Sequence, residues 1–160
     1  MRTVRVFRIV HKTYADAPFS GEGGLYASSR WASRGQLVTY AADSLALATL
    51  EKIAGAGQID RLGEMVYVPA EVQEPGIATL EEDELPDEWD RRPPGHASRD
   101  LGDRWLENET SPALRVPSVT LPDSSNYVLN PSHPEFEEVV AVGDQRRLDL
   151  DPRVLDRLRE

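Results

Sequence analysis

Cysteine is absent from the 160 residues. Its absence removes disulfides, thiolate nucleophiles, zinc fingers and iron–sulfur clusters. Lysine is nearly as scarce, two residues against sixteen arginines, a bias that reads as genomic base composition rather than function. Positive charge as a whole is in deficit, since 18 basic and 28 acidic side chains leave a formal net charge of -10. Such a surface repels phosphate backbones and anionic lipid headgroups, so neither nucleic acid nor a membrane is expected as a partner. No run approaches the ~18 apolar residues of a membrane span, and MRTVRVFRIVHK places arginines where a signal peptide needs apolar residues. The expected location is the cytoplasm. The phosphate loop GxxxxGK[ST], the zinc helix HExxH and the nucleophile elbow GxSxG are missing too. His11, His96 and His133 lie far apart with no partner at ligand spacing, so no metal is expected.

What remains is enough for a globular core: 39% of the residues are hydrophobic, too many for a disordered chain. The length points to one domain, residues 1–160, burying about two thirds of its chain surface. Residues 4–10 (VRVFRIV) read as a strand with Val4, Val6 and Ile9 as core positions. PFSGEGG at 18–24 reads as a loop, and its glycines open no helix, which argues against a dinucleotide-binding Rossmann turn. Further strands are expected at 25–27, 36–41, 64–69, 76–80, 114–121, 127–129, 139–142 and 147–150. Asp43 or Ser44 can cap a helix running to Ala54, ended by Gly55 and Gly57, with an apolar stripe of Leu47, Leu50, Ile53 and Ala54. Helices are also expected at 100–108 and 153–159. The acidic run 81–84 and the proline-rich residues to Gly95 read as an exposed loop with a turn at Trp89. The order is mixed, mainly strands with separated helices, and predicts an α+β domain of central strands flanked by helices.

Four features stand out. Arg8 interrupts an apolar strand, where a charge needs a partner or a ligand; simple outward alternation explains it equally. Arg30 precedes Trp31 in a loop, where a guanidinium can grip a phosphate in bidentate fashion; a surface arginine beside a packed tryptophan fits as well. Tyr40 ends a strand. Glu51 borders the helical stripe one turn after Leu47, half-buried or simply solvated. Ser118 and Asn130 lie in strand or turn stretches that say nothing more by themselves.

Taken together, VFRI (6–9), FSGEGGLYASSRW (19–31), VTYAADSLALATLE (38–51), LRVPSVTLP (114–122) and NYVLNPSHPEF (126–136) resemble the RES-domain toxins, partners of Xre-type antitoxins in bacterial toxin–antitoxin pairs. The family is named for an Arg, a Glu and a Ser. The resemblance implies that Arg30 (or Arg8), Glu51 and Ser118 fill these positions, with Tyr40 as a further site residue. Two departures are visible: Ser29-Arg30-Trp31-Ala32 replaces a loop that usually reads GRW followed by Asn, and Asp43 stands where Glu is common. The resemblance further implies a fold like that of mono-ADP-ribosyltransferases and an enzyme that destroys NAD as substrate. Inorganic phosphate, water or a protein would accept the ADP-ribose, and no bound cofactor is needed. Glu51 would be the catalytic carboxylate. Arg8 and Arg30 would offset the phosphates, Tyr40 would stack on nicotinamide, and Ser118 would bond a ribose or phosphate oxygen. The expected partner is a basic, DNA-binding Xre-type antitoxin, with homo-oligomerisation within that complex.

Overall fold

The computed structural model describes residues 1–55 and 59–160. Nine residues of continuous strand propensity form β1 (Thr3–His11), which pairs along its whole length with β3 (Met65–Gln73). Its other neighbour, β2 (Thr39–Ala42), meets it only at the pair Phe7–Ala42. From β2 the sheet continues through β6 (Ser125–Leu129) and β5 (Ala113–Pro117) to a parallel edge strand, β4 (Ile77–Thr79). On the far side, β7 (Val140–Val142) and β8 (Arg146–Arg147) share the free edge of β3. Pro69 sits opposite the gap between those two short strands, where a proline deprives no ladder partner of an N–H.

Among the described residues, four α-helices accompany this eight-stranded sheet: α1 (Leu45–Ala54), α2 (His96–Glu107), α3 (Phe136–Val139) and α4 (Pro152–Leu158). The architecture is α+β, as expected. Both faces of the sheet are covered. Val6, Tyr127, Leu129, Val68 and Phe136 gather on one face. On the other, Ile9, Leu47, Ala48 and Met65 pack beneath α1, while Val128, Val116, Trp105 and Trp31 pack beneath α2. Arg8 therefore does not alternate outward into solvent, because β1 has no solvent face at its middle. No helix among the described residues is long and apolar enough to cross a membrane.

Several expectations shift. Residues 25–27 form no strand: Leu25 ends a 3-10 turn (Glu22–Leu25) and Tyr26 is exposed. The loop is pressed too close to its neighbour, since a Cβ on Gly24 would lie 2.1 Å from the Gln36 carbonyl oxygen. β2 starts at Thr39 rather than Gln36, β3 extends to Gln73 beyond its proline, and β8 stops at Arg147. β5 stops at Pro117, and residues 118–121 turn instead. The acidic stretch after Pro134 winds into α3, and α2 starts one turn early, at His96.

The buried face of α1 keeps Leu47 from the expected stripe of Leu47, Leu50, Ile53 and Ala54 but turns away from Leu50 and Ala54. Ser44 caps the helix by accepting from the Leu47 N–H at 3.1 Å, and Gly55 ends it, while Gly57 lies outside the described residues. Leu47 and Ala48 are buried, whereas Leu50 is 37% exposed and Ala54 is exposed. Residues 47, 48, 51 and 52 share one face at helical spacing. The sheet-facing side of α1 thus carries Glu51 and Lys52 where two more apolar residues would complete an ordinary amphipathic helix.

Gly102 brings α2 into contact with the loop of Trp31; a Cβ there would lie 1.6 Å from the Trp31 carbonyl oxygen. Gly102→Ala is expected to lower stability by about 2 kcal/mol, as overpacking does. Gly63→Ala, with nothing among the described residues within 4 Å of the added carbon, is expected to change it by under about 0.5 kcal/mol. Equal urea midpoints for the two variants would refute this packing argument.

Candidate functional site

The separation of β1 from β2 beyond Phe7–Ala42 opens a gap in the sheet, and Arg8 fills it. Its Nε donates to the Pro18 carbonyl at 2.6 Å and its Nη1 to the Tyr40 carbonyl at 3.0 Å. A side chain here replaces the missing backbone ladder. Burial lowers the Arg8 pKa to about 10, against the opposing influence of Tyr40, so the guanidinium stays charged at neutral pH.

Two cavities meet at Tyr40 and Glu51. One, of about 230 Å³, runs beside Phe7, Arg8, Ala48 and Lys52; the other, of about 580 Å³, reaches Ser29, Arg30, Arg92, Thr120 and Asn126. Glu51 stands at their junction with both carboxylate oxygens engaged. Asn126 Nδ2 donates to Oε2 at 3.0 Å, and Ser118 Oγ donates to Oε1 at 3.3 Å. Burial raises the Glu51 pKa; the Asn126 and Ser118 donors oppose that rise, and the nearby Asp43 carboxylate adds to it. Asp43 itself accepts from the Ser125 N–H at 2.9 Å, tying the start of α1 to β6.

Ser118 is 8% exposed and fully occupied. Its oxygen accepts from the N–H groups of Thr120 and Leu121, at 3.1 and 3.3 Å, which leaves its one hydrogen for Glu51. The hydroxyl is therefore directed at the carboxylate in this arrangement, rather than at a ribose or phosphate. Tyr40 is fixed through its hydroxyl, which is hydrogen-bonded to Ser29 Oγ. Burial is the main reason its pKa rises to about 12, so it remains a neutral phenol.

The loop carrying Arg30 is mounted on α2. Ser98 Oγ donates to the Arg30 carbonyl at 2.6 Å, and Arg99 Nε donates to the Ser29 carbonyl at 2.8 Å. Asp103 accepts from the Ser33 N–H and hydroxyl at 2.8 and 2.5 Å. Trp31 is buried and stacks on Trp89 with ring centroids 6.1 Å apart. Arg30 Nη1 holds the neighbouring loop through the carbonyls of Trp89 and Arg91, at 2.8 and 2.9 Å. Its pKa is lowered by partial burial and by Arg92 and Arg99, with Asp90 opposing. These guanidiniums form no ion pair with a carboxylate among the described residues.

Arg8, Arg30, Tyr40, Glu51 and Ser118 thus converge, with the two arginines in different cavities on either side of Glu51. Sequence reasoning passed over Asn126, Lys52 and Arg92. Asn126 had a signal, since asparagine is disfavoured inside a strand and here it faces Glu51. Asn130, which the sequence offers only as a strand or turn residue, is structural: it donates to the Leu106 carbonyl at 3.3 Å and accepts from the Ser132 N–H at 3.1 Å. Among the described residues no group of His, Asp and Glu is arranged to hold a metal.

The model of the RES domain matches residues 5–151. The chain belongs to the RES domain family. This RES chain is 30% identical over 149 residues to "Toxin Res" of Yersinia enterocolitica, an alignment covering 93% of this chain and 98% of the relative. It is 33% identical over 154 residues to the "Prs ADP-ribosylating toxin" of a Sphingobium strain, covering 90% and 91%. A solved chain from the M. tuberculosis MbcT–MbcA toxin–antitoxin complex superposes with a TM-score of 0.73 at 14% identity, covering 99% of this chain and 90% of that one. That last likeness is one of fold.

The donors around Glu51 make a directional prediction for this RES site. Hydrogen bonds to a carboxylate favour its charged form, so Asn126→Ala is expected to move the Glu51 titration to higher pH. Carbon-13 NMR of the Glu51 carboxyl measures it; an unmoved or downward-shifted curve contradicts the geometry.

Proposed function

We propose that this chain is the toxin of a toxin–antitoxin pair and an enzyme that depletes NAD, cleaving the nicotinamide–ribose bond and transferring ADP-ribose to phosphate or water. The observation that carries the proposal is the half-buried Glu51 carboxylate, held by two donors at the junction of two cavities that each contain a cation. The names of the relatives, toxins and in one case an ADP-ribosylating toxin, support the same reading.

The chemistry follows from the charges. When the C1′–N bond breaks, its electron pair leaves with nicotinamide and positive charge develops on an oxocarbenium-like ribose. Glu51 faces that charge. A unit pair ~4 Å apart at an effective dielectric of 20 is worth about 4 kcal/mol, or about three decades of rate. An acceptor oxygen of phosphate then bonds to C1′; with water as acceptor, a proton is released. Tyr40, fixed as a neutral phenol, offers its ring to nicotinamide, and Ser118 and Asn126 hold Glu51 in place. Arg8 and Arg30 supply the positive charge that the dinucleotide phosphates, and an incoming phosphate, need in a protein of net charge -10.

A second reading keeps the site and changes the acceptor to a protein, as the name of the Sphingobium relative favours. A third, a module that only binds its antitoxin, gives no reason to hold a carboxylate half-buried with both oxygens engaged. In all three the partner is an Xre-type antitoxin whose basic surface complements this acidic chain, and the setting is the cytoplasm.

NAD loss with purified protein, with and without inorganic phosphate, tests the proposal. Glu51→Gln is expected to slow it by about 10³-fold. Because Glu51 acts ionised and its pKa is raised, kcat/KM is expected to rise with pH along a limb displaced above the ordinary carboxylate range. Full turnover by folded Glu51→Gln removes the carboxylate from the mechanism. Labelled protein with little loss of free NAD favours the second reading.

A further inference from the structure

A third cavity, of about 490 Å³, extends the other two. Arg8 and Lys52 line both it and the 230 Å³ cavity, just as Tyr40 and Glu51 line both the 230 and the 580 Å³ cavities. The three form one series, and the joint between the 230 and 490 Å³ cavities is cationic. Lys52 makes no hydrogen bond or ion pair among the described residues, and the charge acting on it is that of Arg8. Two neighbouring cations without a carboxylate partner are costly to bury and call for an anion.

The cleft beyond them has a different character. Tyr14 and Tyr26 stand on its rim, 70% and 77% exposed, large rings that no core requires. Asp16 and Glu22 line it as well, and buried Val10 and Met65 contribute apolar surface. Its glycine-rich wall is tied down: the Gly35 N–H donates to the Gly24 carbonyl at 2.8 Å, and a Cβ on Gly21 (φ 77°) would lie 2.8 Å from the Val38 nitrogen. Exposed aromatic rings stack on nucleobases, and carboxylates accept from an exocyclic amine.

We infer that this cleft binds the adenosine half of the dinucleotide, the base against Tyr14 and Tyr26, its amine toward Asp16 or Glu22, and the diphosphate at Arg8 and Lys52. The inference rests on the NAD-consuming reading and gives the substrate a direction. The nicotinamide ring of NAD is cationic, so the Arg8–Lys52 joint repels it and Glu51 attracts it. The neutral purine takes the opposite end.

The test is calorimetric titration of the full chain with ADP and, separately, with nicotinamide mononucleotide, alongside NAD kinetics. Wild type is expected to bind ADP, and Tyr14→Ala or Tyr26→Ala to weaken it by about tenfold. The same variants are expected to raise KM for NAD by about tenfold with little change in kcat, the signature of lost uniform binding. Both side chains are mostly exposed, and circular dichroism checks that the variants remain folded. Failure of wild type to bind ADP, or unchanged ADP affinity and KM in both variants, overturns the adenosine assignment whatever the activity. Tyrosine-dependent ADP binding without NAD consumption keeps the cleft and overturns the reaction instead.

Discussion

A sheet that parts company with itself must satisfy the backbone groups it strands, and here one guanidinium does so. Where β1 and β2 diverge, Arg8 donates to the Tyr40 carbonyl, an acceptor on β2 that a continuous ladder would have paired, and to the Pro18 carbonyl in the loop beyond. The bond to Tyr40 spans the gap, and the bond to Pro18 anchors the guanidinium to the adjoining loop. Without the gap, β2 would close on β1 and the 230 Å³ space beside Glu51 would be filled by backbone. The same arginine, beside Lys52, brings positive charge to that space. One residue thus serves both the structure and the electrostatics at the centre of the molecule.

The second constraint is the carboxylate on the buried face of α1. An apolar residue at Glu51 would extend the contact of Leu47 and Ala48 with the sheet; a glutamate instead demands donors and space. Its raised pKa means the folded state binds the proton more tightly than the unfolded chain does. Linkage then gives the sign: this group's contribution favours folding below the unfolded value and is lost as pH rises through the folded pKa. The burial that raises this pKa disfavours the charged form, so the carboxylate is held at a cost to stability, an exchange common at functional sites.

Local chemistry made much of this visible beforehand. The β-branched run of β1, the Ser44 cap and the proline after Asp151 announced their elements. The set Arg8, Arg30, Tyr40, Glu51 and Ser118 came from the resemblance to the RES-domain toxins, since the residues by themselves left each assignment open. What stayed hidden was tertiary. The stripe on α1 was read around Leu50 because the true buried face carries two charged residues, so hydrophobic spacing pointed the wrong way. Residues 25–27 resembled a strand until the close approach of Gly24 to Gln36 ruled it out. Asn126 and Ser118 converge on Glu51 only once β5 and β6 lie beside β2, and no spacing along the chain encodes that meeting.

The hydrogen bonds to Glu51 also order events in time. The carboxylate is synthesised 67 residues before Ser118 and 75 before Asn126, and the loop of Ser29 and Arg30 waits about as long for Ser98 and Arg99. A chain growing from its N-terminus therefore carries Arg8, Arg30, Glu51 and Lys52 well before the groups that aim Glu51 and the Arg30 loop. During synthesis Glu51 stays without its two donors until the last third of the protein is emerging, and β6 (Ser125–Leu129) is the strand that completes the set.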